Sequence, residues 1–130
     1  MKYDFNTVEP KWQKAWEEND AFKAVDFSDK PKWYGLVEFP YPSGAGMHVG
    51  HIKAYSSIEV ISRKKRMQGY NVLFPIGFDS FGLPAENYAI KTNTHPHDIT
   101  EKNIAHFSDQ LRKVGFSFDW SRVIATSHKD

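Results

Sequence analysis

Cysteine is absent from the 130 residues, and with it every disulfide and every thiolate metal ligand. Also missing is any apolar run of membrane-spanning length. The opening residues, MKYDFNTVEPKW, are polar and mixed in charge, without the apolar core of a signal peptide. Together these absences lead to the expectation of a soluble, cytoplasmic protein with no membrane partner. An excess of charge is lacking too: 17 lysines and arginines face 16 acidic residues, for a net charge of +1. A protein that grips a polyanion by its field alone is more basic than this. Any nucleic-acid partner is therefore expected to dock mainly through some other surface. No internal repeat, low-complexity tract or strong linker divides the chain, and the expectation is one domain.

What is abundant is ring. Aromatics make up 15% of the chain, within 40% apolar and 25% charged residues, a globular composition with ring-rich packing or a ring-lined pocket. The chain is long enough to bury a core. A first helix is expected over 8–19, with Thr7 as N-cap, Pro10 in its first turn, and Trp12 and Trp16 four residues apart on one face. Residues 23–33 read as a loop. Trp33 to Phe39 is a short apolar strand stopped by Pro40 and Pro42. Ser43, Gly44, Ala45 and Gly46 form a turn with little side-chain bulk. A long helix begins around His48 to Gly50 and runs to about Gln68, with Ile52, Tyr55, Ile58 or Glu59, and Ile61 or Ser62 at helical spacing. Arg63, Lys64, Lys65 and Arg66 suit the negative end of its dipole, and Gly69 suits the C′ position. Tyr70 to Ile76 is a second strand.

Strand, glycine turn, helix and strand over 33–76 is a βαβ unit, so the fold class is α/β, with parallel strands. A further helix begins at Asp98 to Glu101, continues through Ile104, Phe107, Leu111 and Val114, and closes at Gly115. Phe116 to Trp120 is extended or turn-like.

In such a sheet, ligands sit beyond the carboxyl ends of the strands. A helix start there offers unpaired N–H groups and a partial positive charge, which suits phosphate. Gly44, Gly46 and Gly50 remove the side chains that hold a phosphate off the backbone. His48 and His51, three residues apart, share a face and can donate to phosphate oxygens. Neither common phosphate loop is present: no Lys-Ser or Lys-Thr follows the glycines, and Gly50 lies one residue too far for G-x-G-x-x-G.

His48-Val49-Gly50-His51 resembles the H-I-G-H signature of the class I aminoacyl-tRNA synthetases, with Pro42 set ahead of it at the end of a strand. Two longer runs narrow the resemblance to the bacterial leucine enzymes: Pro40-Tyr41-Pro42-Ser43-Gly44-Ala45-Gly46-Met47-His48-Val49-Gly50-His51, and GFDSFGLPAENYAIK from Gly77 to Lys91. Thr94 to Pro96, Thr100 to Phe107 and Val114 to Trp120 continue it, so that it extends from about Tyr3 to Thr126. The resemblance implies the N-terminal half of a Rossmann-like parallel-sheet catalytic domain preceded by a helix, with a substrate loop and helix over 77–130. It also implies that leucine is activated with ATP and Mg2+ to leucyl-adenylate and passed to tRNA(Leu). His48 and His51 are then the catalytic pair on the ATP phosphates. Pro42, Gly44, Gly46 and Gly50 complete the ATP site, while Phe39, Tyr41 and Asp79 bind the amino acid. No protein-bound metal is expected.

The sequence departs from that pattern in places. Glu38 and Phe78 stand where methionine and tryptophan are expected. The second class signature, K-M-S-K-S, is missing; Lys64-Lys65-Arg66-Met67 resembles it only faintly and lies inside a helix. The expectation is an N-terminal fragment, with the editing insertion, the rest of the nucleotide fold, the anticodon-binding helices and any zinc module beyond Asp130. Two alternatives stay open: a non-catalytic nucleotide-binding half-domain, or the same fragment of an isoleucine, valine or methionine enzyme.

Plainer readings compete residue by residue. By position alone His48 and His51 read as helix caps without a ligand, but the flanking turn and the second run favour the phosphate reading; Asp79 reads less well as a turn aspartate. Arg63 to Arg66 read best as a helix end in water, and His95 and His97 as a solvated loop rather than a zinc site. Glu86 reads as a structural contact, and Trp12 and Trp16 as core or docking residues.

Overall fold

The computed structural model describes residues 3–129. Helix α1, Phe5–Glu18, is capped by Asp4, whose carboxylate accepts from the Asn6 N–H and from the Thr7 hydroxyl. The expected cap, Thr7, is thus a donor inside the first turn, and Pro10 falls in the second turn. The aspartate wins because an ionised carboxylate accepts more strongly than a hydroxyl and gains from the helix dipole. Trp12 is half-exposed, whereas Trp16 packs on Phe22 and under the Arg63 guanidinium.

Strand β1, Lys32–Tyr34, pairs in parallel with β2, Asn71–Leu73, in the register Lys32 to Asn71, Trp33 to Val72 and Tyr34 to Leu73. Both strands are shorter than their apolar runs. Pro75 has no N–H to continue the ladder, and the Phe74 carbonyl turns instead to the Asp119 N–H at 2.7 Å. Beyond the Gly35 N–H, which still reaches Leu73 O at 2.9 Å, the first run therefore loses its partner.

Helix α2, Val49–Met67, lies between the two strands in the chain, bounded by His48 and Gln68, with Gly69 at φ 87° beyond it. Its inward face is Tyr55, Glu59 and Ser62, not Ile61, which is exposed. The buried Glu59 carboxylate is satisfied by Arg63 and by the Ser117 N–H and hydroxyl at 2.9 and 2.8 Å. Arg66 donates to Ser117 O and Phe22 O, and burial, aided by the Arg63 charge, lowers its pKa to about 10. The reading of 63–66 as a helix end in water therefore fails for the two arginines, which clamp the segments around Phe22 and Ser117; Lys64 remains exposed.

Strand β3, Gly77–Phe78, pairs in parallel with β4, Ile124–Ala125. Between them run α3, Leu83–Thr92, and α4, Pro96–Val114, then a 3-10 turn at Trp120–Arg122. Helix α4 starts earlier than Asp98. His95 is its N-cap, with Nδ1 facing the His97 N–H at 3.3 Å, so the two histidines form a helix start rather than a loop. Glu86 is exposed in the first turn of α3, where its charge suits the helix dipole.

The core is ring-rich, as composition suggested. Val37, Tyr55, Val72, Phe74, Ile76, Leu111, Phe116 and Phe118 form one cluster, with Phe118 edge-on to both Tyr55 and Trp120. Each such ring contributes about 1.5–3 kcal/mol through burial. A second cluster, Phe78, Ile104, Phe107 and Ala125, seats α4 on β3 and β4. Phe78, where tryptophan was expected, is fully buried there. No described helix is long and apolar enough to cross a membrane.

Candidate functional site

The two imidazoles meet at the start of α2. Their ring centroids are 3.8 Å apart and tilted by 33°. His48, in extended conformation, accepts the Gly50 N–H on Nδ1 at 3.1 Å; His51 accepts the His48 N–H on its own Nδ1 at 3.2 Å. This is a reciprocal cap built from two histidines, satisfying two orphan donors of the helix. It has a chemical consequence. A ring nitrogen that accepts carries no proton, so each neutral ring bears its hydrogen on Nε2. Both rings thus keep one N–H donor outside the cap. Burial, then proximity to His48, lowers the His51 pKa against a smaller raising by Glu38, which favours the neutral ring that can accept.

Gly50 is needed for close approach: a Cβ there would meet His48 Cε1 at 2.8 Å and Nδ1 at 2.9 Å. Val49 and His48 are exposed, so the helix start is open to solvent.

The segment leading in is fixed at several points. The Tyr55 hydroxyl donates to Glu38 O at 2.9 Å; burial, then Glu38, pushes the phenol pKa up to about 12. The Asp79 N–H donates to Pro40 O at 3.0 Å, which ties the end of β3 to the signature run. The Phe39 ring covers Gly77, where a Cβ would lie 2.7 Å away. Pro42 is buried, and its carbonyl accepts from Asn103 Nδ2 at 2.8 Å. The Met47 N–H donates to Gln110 Oε1 at 2.8 Å.

The structure thus brings together His48 with His51, and Asp79 with Phe39 to Tyr41. The two groups are joined through the backbone of Pro40 to Met47, with no direct contact described between Asp79 and the imidazoles. Tyr41 is half-exposed beside that join. Asp79 Oδ1 takes the Thr126 hydroxyl at 3.3 Å, while no donor among the described residues reaches Oδ2. Thr126 also accepts the Ser80 N–H at 2.9 Å.

Asn103, Gln110 and Thr126 escaped sequence reasoning. One signal was available for the first two: they are polar residues on the face of α4 that carries Phe107 and Leu111. A cavity of about 480 Å³ opens between α1 and residues 115–121, lined by Trp16, Phe22 and Trp120, and shares no residue with this site. Among the described residues, no three His, Cys, Asp or Glu side chains converge as a metal site.

The family described as tRNA synthetases class I (M) matches residues 36–130. The chain belongs to the class I tRNA synthetases.

Within this class I family, the "Leucine--tRNA ligase" of Chlorobium phaeobacteroides strain DSM 266 is 55% identical over all of the chain and 16% of its own length. Among solved structures, the agnB2 LeuRS of Agrobacterium radiobacter K84, in its ternary complex with tRNA and LeuAMS, superposes with a TM-score of 0.93. It is 38% identical over 98% of this chain and 16% of that one. The Mycobacterium tuberculosis methionyl-tRNA synthetase in complex with methionyl-adenylate follows at TM-score 0.71 and 30% identity over 77% of this chain and 19% of that one. The chain therefore spans about one sixth of the leucine enzymes it matches. The expected fold class holds: a class I catalytic fold with parallel strands and an N-terminal helix.

Proposed function

We propose that this chain forms the ATP- and leucine-binding half of the catalytic domain of a leucine–tRNA ligase. The observation that carries the reading is the reciprocal histidine cap, which occupies the His48 and Gly50 amides and leaves two Nε2–H donors side by side at the exposed helix start. Two neutral N–H donors at an exposed helix N-terminus suit an anion such as phosphate.

In this reading, His48 and His51 hold the ATP phosphates, and the backbone of Gly44 to Gly50 approaches the nucleotide. The Asp79 carboxylate, with Oδ2 unengaged, takes the leucine ammonium, helped by the backbone at Phe39, and Tyr41 walls the side-chain pocket. The leucine carboxylate then attacks the α-phosphate, giving leucyl-adenylate and pyrophosphate. Transfer to the terminal ribose of tRNA(Leu) follows, through parts of the enzyme outside this chain. Mg2+ brought in with the nucleotide would supply charge neutralisation at the phosphates, and no residue of this chain is assigned to hold it. The chain's own contribution is positioning and electrostatic stabilisation; no protein nucleophile is required. Leucine is favoured over methionine by the closer match to the agnB2 LeuRS than to the methionine enzyme.

The test is amino-acid-dependent exchange of labelled pyrophosphate into ATP by the full chain, with leucine, isoleucine, valine and methionine in parallel. Exchange that is strongest with leucine and lost in both His48→Ala and His51→Ala is the expected outcome. A cooperatively melting protein that supports no exchange is only the incomplete front half of the enzyme; one that also binds neither ATP nor leucine contradicts the proposal.

A further inference from the structure

We infer that Asn103 and Gln110 of α4 are positioning residues for the signature segment: they hold the glycine turn between Pro42 and Met47 in the shape that brings His48 to the start of α2. The hydrogen bonds stand by themselves; their consequence for nucleotide binding rests on the function proposed above.

The turn has little to hold it in place from within. Ser43 to Gly46 carries almost no side chain, Gly44 and Gly46 sit at φ 123° and 146°, and the one described backbone bond at its entry is Ser43 N–H to Tyr41 O at 2.8 Å. Such a segment keeps one conformation only if its surroundings over-determine it. Helix α4 supplies the surroundings. Asn103 and Gln110 are seven residues apart, two helical turns or about 10 Å along one face. They grip the two ends of the segment, both at 2.8 Å, with opposite polarity: Asn103 donates to Pro42 O, and Gln110 accepts from Met47 N–H.

Asn103 is buried beside Ile104, Phe107 and Leu111, where an unpartnered amide is costly, and Gln110 is half-buried at the edge of the same face. The Pro42 and Met47 groups are the partners that make polar residues tolerable there. Gly46 completes the fit. A Cβ at Gly46 would lie 2.7 Å from Gln110 Nε2 and 2.8 Å from Oε1, so the side chain reaches Met47 only because residue 46 has none. Met47 is the residue before the His48 cap. Its amide is thus the last fixed point before the imidazoles.

The opposite polarities give a test with different rescue rules at the two positions. Position 110 needs an acceptor, so Gln110→Glu retains the bond and Gln110→Met, of similar length, loses it. Position 103 needs a donor, so Asn103→Asp, although isosteric, loses the bond. The measurements are made on the full 15N-labelled chain: hydrogen exchange of the Met47 amide, the ring-nitrogen resonances of His48 and His51, and an ATP titration. In the wild type, the Met47 amide is expected to exchange more slowly than those of Ala45 and Gly46. Gln110→Met should speed it about tenfold, shift both histidine rings, and weaken ATP binding, while Gln110→Glu keeps Met47 slow. Asn103→Asp should shift the same rings.

Equal exchange of Met47 in wild type and Gln110→Met, or unmoved histidine resonances in both loss variants, overturns the inference. If Gln110→Met does not fold, wild-type protection of Met47 and its retention in Gln110→Glu decide the matter. Failure of the wild type to bind ATP contradicts the proposed function alone; Met47 exchange still judges the positioning.

Discussion

His48 and His51 cap the start of α2 together: His48 Nδ1 accepts the Gly50 N–H at 3.1 Å and His51 Nδ1 the His48 N–H at 3.2 Å, with the tilted rings 3.8 Å apart. One pair of side chains therefore carries two tasks, ending a helix and presenting donors. The tasks can be separated.

His48→Ala removes both the cap and the donor, and should cost about 1 kcal/mol of stability together with ATP affinity. His48→Asn restores a short acceptor for the Gly50 N–H but has no group that reaches as far as Nε2. It should melt close to the wild type yet still bind ATP about tenfold or more weakly, as loss of a hydrogen bond to a charged group implies. Calorimetric melting and an ATP titration check both; wild-type ATP affinity in His48→Asn would reduce the histidine to a cap.

Acid should loosen this end of α2. The folded pKa of His51 lies below its ordinary value of 6.5, first through burial and then through proximity to His48, with Glu38 opposing. The unfolded chain thus binds that proton more tightly than the folded one. The contribution is complete above about pH 6.5 and is lost as pH falls through the depressed folded value. Urea midpoints between pH 7.5 and 5 should fall in the wild type and fall less in His51→Gln.

Much of this site was legible in the sequence. His48, Gly50 and His51 sit at a helix start whose other end is marked by Gly69, and both ends lie within a residue or two of their expected places. The Asp4 cap was hidden behind Thr7, which has the right chemistry in the wrong turn. Helix α3 left no apolar period, because its buried residues are Ala85 and Ala89, while Leu83 and Ile90 face outward. Strands β3 and β4 are two residues each, too short for any alternation to register. The partners Asn103 and Gln110 come from more than fifty residues away, and only the folded chain brings them to Pro42 and Met47.

Gly46→Ala should be the most disruptive small change in the signature run. It places a Cβ against the Gln110 amide and forces a non-glycine residue to φ 146°, a strain of about 1–3 kcal/mol. The melting temperature should drop, and Gln110→Ala should recover only the steric part. Wild-type stability in Gly46→Ala would show that the turn adopts another conformation.

Glu59→Leu tests the scaffold behind the site. It leaves the buried Ser117 N–H and hydroxyl without an acceptor and Arg63 without its carboxylate. A loss of about 1–3 kcal/mol is expected, read as a lower urea midpoint at unchanged slope.

The most direct test of the central claim is an ATP titration followed through the ring nitrogens of a chain labelled with 15N-histidine. The account predicts that the free protein shows His48 and His51 with the proton on Nε2, and that ATP shifts those two Nε2 signals while His95, His97, His106 and His128 stay in place. Shifts confined to the other histidines, or none at ATP concentrations that saturate binding, would contradict it.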